Sequence, residues 1–482
     1  MILGSKAFFV FLPVVLIGYH LLAGRTRKYA FLLVASWVFY AFAAWYYLSV
    51  LLALTVIDYL VAHRIEASDD DRVRKRWLVL SVVSNLGLLA AFKYLPFAYD
   101  TGVSVAHWFG HPAADRAWQI LLPLGISFHT FQGISYTVDV YRRQIRAVRS
   151  FLDYALFVAF FPQLAAGPIV RAVEFLPQMV APPRVTAQQI TDGTYLFLFG
   201  LFKKLFVADQ LDQLFVSPVF ANPEAFDAAT HRWAVIAWAV QIYCDFSGYT
   251  DIAIGTAKWF GFELPPNFRL PYLATSIADF WRRWHLSFST WLRDYVYFPM
   301  GGSRGSVART YFNLIVLFVL CGLWHGAEWR WVAYGAYNGL LMGLHRTFDR
   351  TAAAIPWAVR LRSTLGWKLF AWTATMFILL GGLVLIRMAD WPGGLLVLRS
   401  LVGIGHDPVA ATGAAFAPWV WGAPLAVPVL IALGLVEHVG AAARSVRLEV
   451  PEPVKAVAAA SCAVLVVVLG PGAGKAFIYI QF

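Results

Sequence analysis

A chain of 482 residues that is 60% hydrophobic and only 14% charged is not a soluble protein, since soluble domains carry about 25% charged residues. Its formal net charge of +12 is scattered between apolar stretches, which argues against a nucleic-acid-binding module. It fits either an excess of Lys and Arg in cytoplasmic loops or the attraction of an anionic donor.

A membrane span needs about 20 mostly apolar residues. Residues 7–22 are a shorter apolar run, with Arg25, Arg27 and Lys28 behind them, and predict an uncleaved first crossing with its N-terminus outside. Residues 29–63 carry no charge except Asp58 and predict two short spans joined near Trp45. A charged loop over 64–76 leads to a span over 77–96. An outer loop poor in Lys and Arg follows over 97–118, then a return over 119–138 that meets Arg142, Arg143 and Arg146. The apolar run 151–167 is short and holds Pro162 and Gly167. It reads as a half-helix or re-entrant segment, tolerated only where protein or a water-filled cavity surrounds it.

Residues 195–206 carry Lys203 and Lys204, read as marking a cytoplasmic end. Residues 233–262 are long enough to cross but contain Asp245 and Asp251 around Gly248. Their spacing matches neither a helical face nor a ligand pattern, so structural hydrogen bonding is expected. Spans or near-spans follow over 310–325, 331–345 and 367–386, a Gly-rich interfacial stretch over 391–405, and spans over 420–439 and 454–469. The expectation is an all-α polytopic membrane protein with about 11–13 transmembrane or re-entrant helices. One integral-membrane domain covers 1–482, with a motif-bearing core over 119–350. Cys244, Cys321 and Cys462 stand singly in apolar settings, suggesting neither a disulfide framework nor a metal site.

Two histidines carry the chemistry. The first lies in Asp279-Phe280-Trp281-Arg282-Arg283-Trp284-His285-Leu286-Ser287. On a continuous helix Trp281, His285, Ser289 and Leu292 share a face, and Asp279 pairs with Arg282 or Arg283. The segment is either a solvated amphipathic helix at the cytoplasmic interface or the wall of a donor site. In the second case Arg282 or Arg283 meets phosphates or a thioester oxygen. The second histidine, His325, ends the uncharged run that begins at Thr310. At 1.5 Å per residue it lies about 24 Å along a helix from Arg309, well inside or near the far boundary of the hydrocarbon core. It is either an interfacial histidine beside Trp324 and Trp329 or a general base for an alcohol. Cys321 would share its face, but a small buried cysteine is the commoner outcome. His129 is read as packing. No Gly-x-Ser-x-Gly elbow, P-loop or HExxH pattern is present.

Pro266-Asn267-Phe268, the Asp279–His285 run, Trp291-Leu292-Arg293-Asp294-Tyr295, Pro299-Met300-Gly301-Gly302 and Gly322-Leu323-Trp324-His325-Gly326 resemble the membrane-bound O-acyltransferase (MBOAT) family. The resemblance is to its bacterial alginate and exopolysaccharide O-acetyltransferase branch, and it extends to the C-terminal Phe477-Ile478-Tyr479-Ile480-Gln481-Phe482. It implies a ring of helices around a thinned centre with a tunnel, His325 as the catalytic histidine and His285 as its companion. Trp281, Arg282, Arg283, Asn267, Asp294 and Trp324 are the expected substrate-binding residues. No metal or permanently bound cofactor is implied. The donor is acetyl-coenzyme A or an acyl-carrier thioester, arriving from the cytoplasm. The acceptor is a polysaccharide, reached directly or through a periplasmic acetyltransferase partner, with the enzyme among the lipids of a bacterial inner membrane. The alternatives are D-alanyl-type transfer from a carrier protein, and a secondary transporter or export channel, which should show paired halves with matching interruptions.

Overall fold

A computed structural model describes residues 5–42, 45–118, 120, 125–164, 167–180, 185–405 and 460–464. Among the described residues all regular structure is helical. The expected span over 420–439, most of that over 454–469 and the C-terminal motif at 477–482 lie outside them. Four helical stretches are long and apolar enough to cross a membrane: Trp45–Glu66, Asp71–Trp108, Val307–His325 and Leu365–Arg387. They leave large apolar side chains exposed, among them Leu60, Val83, Phe312 and Phe370. In a soluble protein such surface would be a liability; facing lipid it is the solvated surface.

The chain forms two compact units, residues 1–197 with 252–265, and residues 198–251 with 266–482. In the first, Lys6–Leu21, Arg25–Ala41, Leu48–Glu66, Asp71–Leu89, Ile126–Tyr141 and Phe151–Ala159 supply the helices. The expected loop over 97–118 is instead helical as far as Trp108. Pro96 does not stop it, because it falls in the first turn of Leu95–Trp108 behind a π-helical turn at Ala90–Tyr94. The wider π-helical turn, in which Leu95 N–H reaches back to the Ala90 carbonyl, carries the helix through this point. The short run after Phe151 does break. Helix Phe151–Ala159 ends at an extended Phe160 and restarts over Phe161–Leu164. The Phe161 N–H released by the break donates to Ser36 Oγ at 3.2 Å, which is how a broken backbone survives at membrane depth.

In the second unit Lys203 and Lys204 do not mark a water-facing end. Both are buried, turned inward by a π-helical stretch over Phe202–Ala208. Lys203 pairs with Asp251 at 2.7 Å, and Lys204 with Asp245 at 2.5 Å and Asp209 at 2.8 Å. The two carboxylates read from the sequence as hydrogen-bonding groups are ion-paired, as buried charges must be. The centre of the unit is the hairpin of Val307–His325 and Trp329–Ala353. A Cβ on Gly335 would meet the Phe318 carbonyl, and one on Gly339 would come within 2.7 Å of Ile315 Cα. Bare glycines therefore let the two backbones touch, the small-residue packing of membrane helices.

Candidate active site

The segment over 277–297 is not one helix. Ile277–Trp281 ends in a turn, His285 takes a left-handed backbone with φ of 45°, and a new helix runs over Leu286–Leu292. Trp281, His285 and Ser289 therefore do not line a single helical face. The cause is Asn267, fully buried beside the turn. Its carbonyl accepts from Leu286 N at 2.9 Å, its Oδ1 accepts from Ser287 Oγ at 2.6 Å, and its Nδ2 donates to Thr250 Oγ1 at 3.2 Å. Arg269 N also donates to the Arg283 carbonyl at 2.9 Å. A non-glycine residue in the left-handed region costs roughly 1–2 kcal/mol, and it persists where surrounding contacts over-determine it.

This latch sets the His285 imidazole among rings. Phe246 meets it edge-on at 4.6 Å, with Phe288 at 5.0 Å and Trp324 at 5.9 Å. His325 stands at the end of Val307–His325, buried, with Trp324 at 4.6 Å and Phe288 at 5.8 Å. The two histidines therefore flank the same stacked pair, Phe288 on Trp324 at 4.1 Å. On another side the Trp331 indole stacks over the His325 ring at 5.4 Å and 22°. Gly326 makes this possible, since a Cβ there would collide with that indole.

Beside His325 a narrow cavity of about 30 Å³ is walled by Trp281, Trp284, Trp331, Tyr334, Asn338 and Leu383, among others. Its lining brings His325 and Trp281 together. His285, Arg282, Arg283, Asn267, Asp294 and Trp324 are not in that lining. Arg283 Nε holds Asp279 at 3.0 Å, while Arg282 stands out exposed, 3.8 Å from the same carboxylate. Asp294 pairs with its neighbour Arg293 at 2.7 Å. Cys321 is buried. Trp331, Tyr334 and Asn338 were not singled out in the sequence; their signal was the spacing of three and four residues that brings Trp331, Tyr334 and Asn338 onto one helical face. An aromatic-walled cavity with one imidazole can desolvate a small uncharged group and remove a proton from a hydroxyl held against it.

A family profile described as membrane-bound O-acyltransferase matches residues 129–381. The chain is 40% identical over 381 residues to the probable alginate O-acetylase AlgI of Pseudomonas aeruginosa, covering 77% of this chain and 72% of that protein. It is 35% identical over 432 residues to the peptidoglycan O-acetyltransferase of Helicobacter pylori, covering 82% and 78%. Similarity to the teichoic acid D-alanyltransferase of Bacillus subtilis is lower, 27% over 245 residues, covering 48% and 61%.

Proposed function

We propose, from the premise that this chain belongs to the membrane-bound O-acyltransferase family, that it is a membrane O-acetyltransferase carrying acetyl groups towards the hydroxyls of an extracytoplasmic polysaccharide. The observation that carries the reading is His325, at the end of a spanning helix and against an apolar cavity. A neutral imidazole nitrogen there accepts the acceptor's hydroxyl proton while the oxygen attacks the thioester carbonyl carbon. The C–S bond breaks, the thiolate leaves with the proton returned by the imidazolium, and an ester remains. General-base assistance of this kind contributes roughly 10²–10⁴-fold.

The donor is an acetyl thioester from the cytoplasm, acetyl-coenzyme A or a carrier-bound acyl group. Arg293 and Arg309, which contact Phe298 and Met300, and the exposed Arg282 suit its negative charge. His285, Trp281 and Arg282 shape the donor side, and the acetyl group leaves outward to polysaccharide or to a periplasmic partner. The setting is a bacterial inner membrane crossed many times, as the bacterial relatives and the apolar helices support. The test is His325→Ala in purified protein with a labelled acetyl donor. The expected result is a loss of at least about 10²-fold with normal thermal unfolding; full activity would refute the assignment. Loss of an O-acetyl ester from the cell-surface glycans of the variant identifies the polymer.

A further inference from the structure

Asp58 is a charge that acyl transfer leaves unused. It lies within the spanning stretch Trp45–Glu66, and its side chain is buried. Its carboxylate meets neutral partners. Ser81 Oγ donates to Oδ1 at 2.6 Å, and Asn85 Nδ2 reaches Oδ1 at 2.9 Å and Oδ2 at 3.0 Å. The titratable groups facing it from the other packed helices are the phenols Tyr136 and Tyr154. Among the described residues no Lys, Arg or His side chain pairs with it. Ionisable groups at such depth in a membrane protein mark ion sites or pathways more often than packing.

The hydrogen-bond count around Asp58 does not close. Asn85 also donates to the Ser81 carbonyl at 3.0 Å, so two amide hydrogens serve three acceptors. Asn85 is wholly buried, and its own Oδ1 has no donor. Turning the amide over would set that oxygen against the carboxylate, acceptor facing acceptor. In either orientation one buried oxygen of the cluster lacks a hydrogen or a cation to face. Gly133 brings the unpartnered Asn85 oxygen and the Asp58 carboxylate together. A Cβ on Gly133 would collide with Asp58 Oδ2, and Asn85 Oδ1 lies 3.4 Å from the same point. Ser81 Oγ is 3.0 Å from Thr137 Oγ1, and Thr137 donates to the Gly133 carbonyl at 3.2 Å. The donor set is thus all oxygen, from three helices, with a single carboxylate. Such ligands suit a hard cation, and one negative charge away from water balances a monovalent ion and not a divalent one.

We propose that Asp58, Ser81, Asn85, Thr137 and the Gly133 carbonyl hold one Na⁺ ion between helices Leu48–Glu66, Asp71–Leu89 and Ile126–Tyr141. Occupancy neutralises Asp58 and ties the three helices together, so the ion stabilises the folded chain by mass action. The test uses the full chain in detergent micelles, with thermal unfolding followed by tryptophan fluorescence. NaCl is titrated against choline chloride at constant ionic strength and pH. The unfolding midpoint is expected to rise by a few degrees and saturate. Asp58→Asn is expected to abolish the dependence, and Ser81→Ala to shift it to several-fold higher Na⁺. Broadening of the ²³Na resonance by the wild-type protein, lost in Asp58→Asn, reads occupancy directly and does not depend on the variant's stability. Equal midpoints in sodium and choline would overturn the proposal. So would a midpoint that responds to pH but not to sodium, because a proton would then be what neutralises Asp58.

Discussion

At the scale of single residues, the site is made by what surrounds two imidazoles. His325 was legible in the sequence because it ends a long uncharged run, and His285 because it sits in a segment dense in charge and aromatics between apolar runs. The backbone of His285 was not legible, since its positive φ is imposed by Asn267, which precedes it by 18 positions. Asn267 was expected at the substrate. Its polar atoms are taken up by Thr250 and Ser287, so its substitution should act through geometry. Asn267→Ala leaves Ser287 Oγ and Thr250 Oγ1 short of a buried partner, a cost of about 1–3 kcal/mol. A lowered unfolding midpoint together with a fall in the acetyl-transfer rate is the expected result; a fall in midpoint with unchanged turnover would separate the latch from catalysis. Arg282, exposed and 3.8 Å from Asp279, contributes roughly 0–1 kcal/mol to stability. Arg282→Ala should leave the midpoint in place and raise KM for the donor, which steady-state kinetics would show.

At the scale of elements, apolar length was the readable quantity and local bending was not. The runs over 310–325 and 367–386 became helices Val307–His325 and Leu365–Arg387 almost without adjustment. The π-helical turn that carries Lys203 and Lys204 has no proline or glycine and was invisible; the partners that make their burial tolerable, Asp209, Asp245 and Asp251, are brought to them by the fold. The hairpin that carries both His325 and Trp331 depends on contact between backbones. Gly335→Leu should force apart Phe318 and Val319 from the facing turn, with overpacking of about 1–3 kcal/mol or more. Activity should fall further than stability, because the stacking of Trp331 on His325 is set across this contact. Parallel measurement of unfolding midpoint and acetyl transfer checks the ratio.

At the scale of the whole molecule, composition alone placed the chain in a membrane, and the exposed Leu, Val and Phe of the spanning helices agree. Orientation follows from charge. Arg304 and Arg309 lie at the start of Val307–His325, and the positive-inside rule predicts a cytoplasmic position for this end. A cysteine placed at Arg304, with Cys462 replaced, should react with a membrane-impermeant maleimide only in inside-out vesicles. Labelling in right-side-out vesicles would reverse the direction of transfer proposed above.

The latch around His285 is closed by Thr250, Asn267, Leu286 and Ser287, a span of chain that ends before the helix bearing His325 begins. A ribosome therefore makes every group needed to bend that backbone before it makes His325.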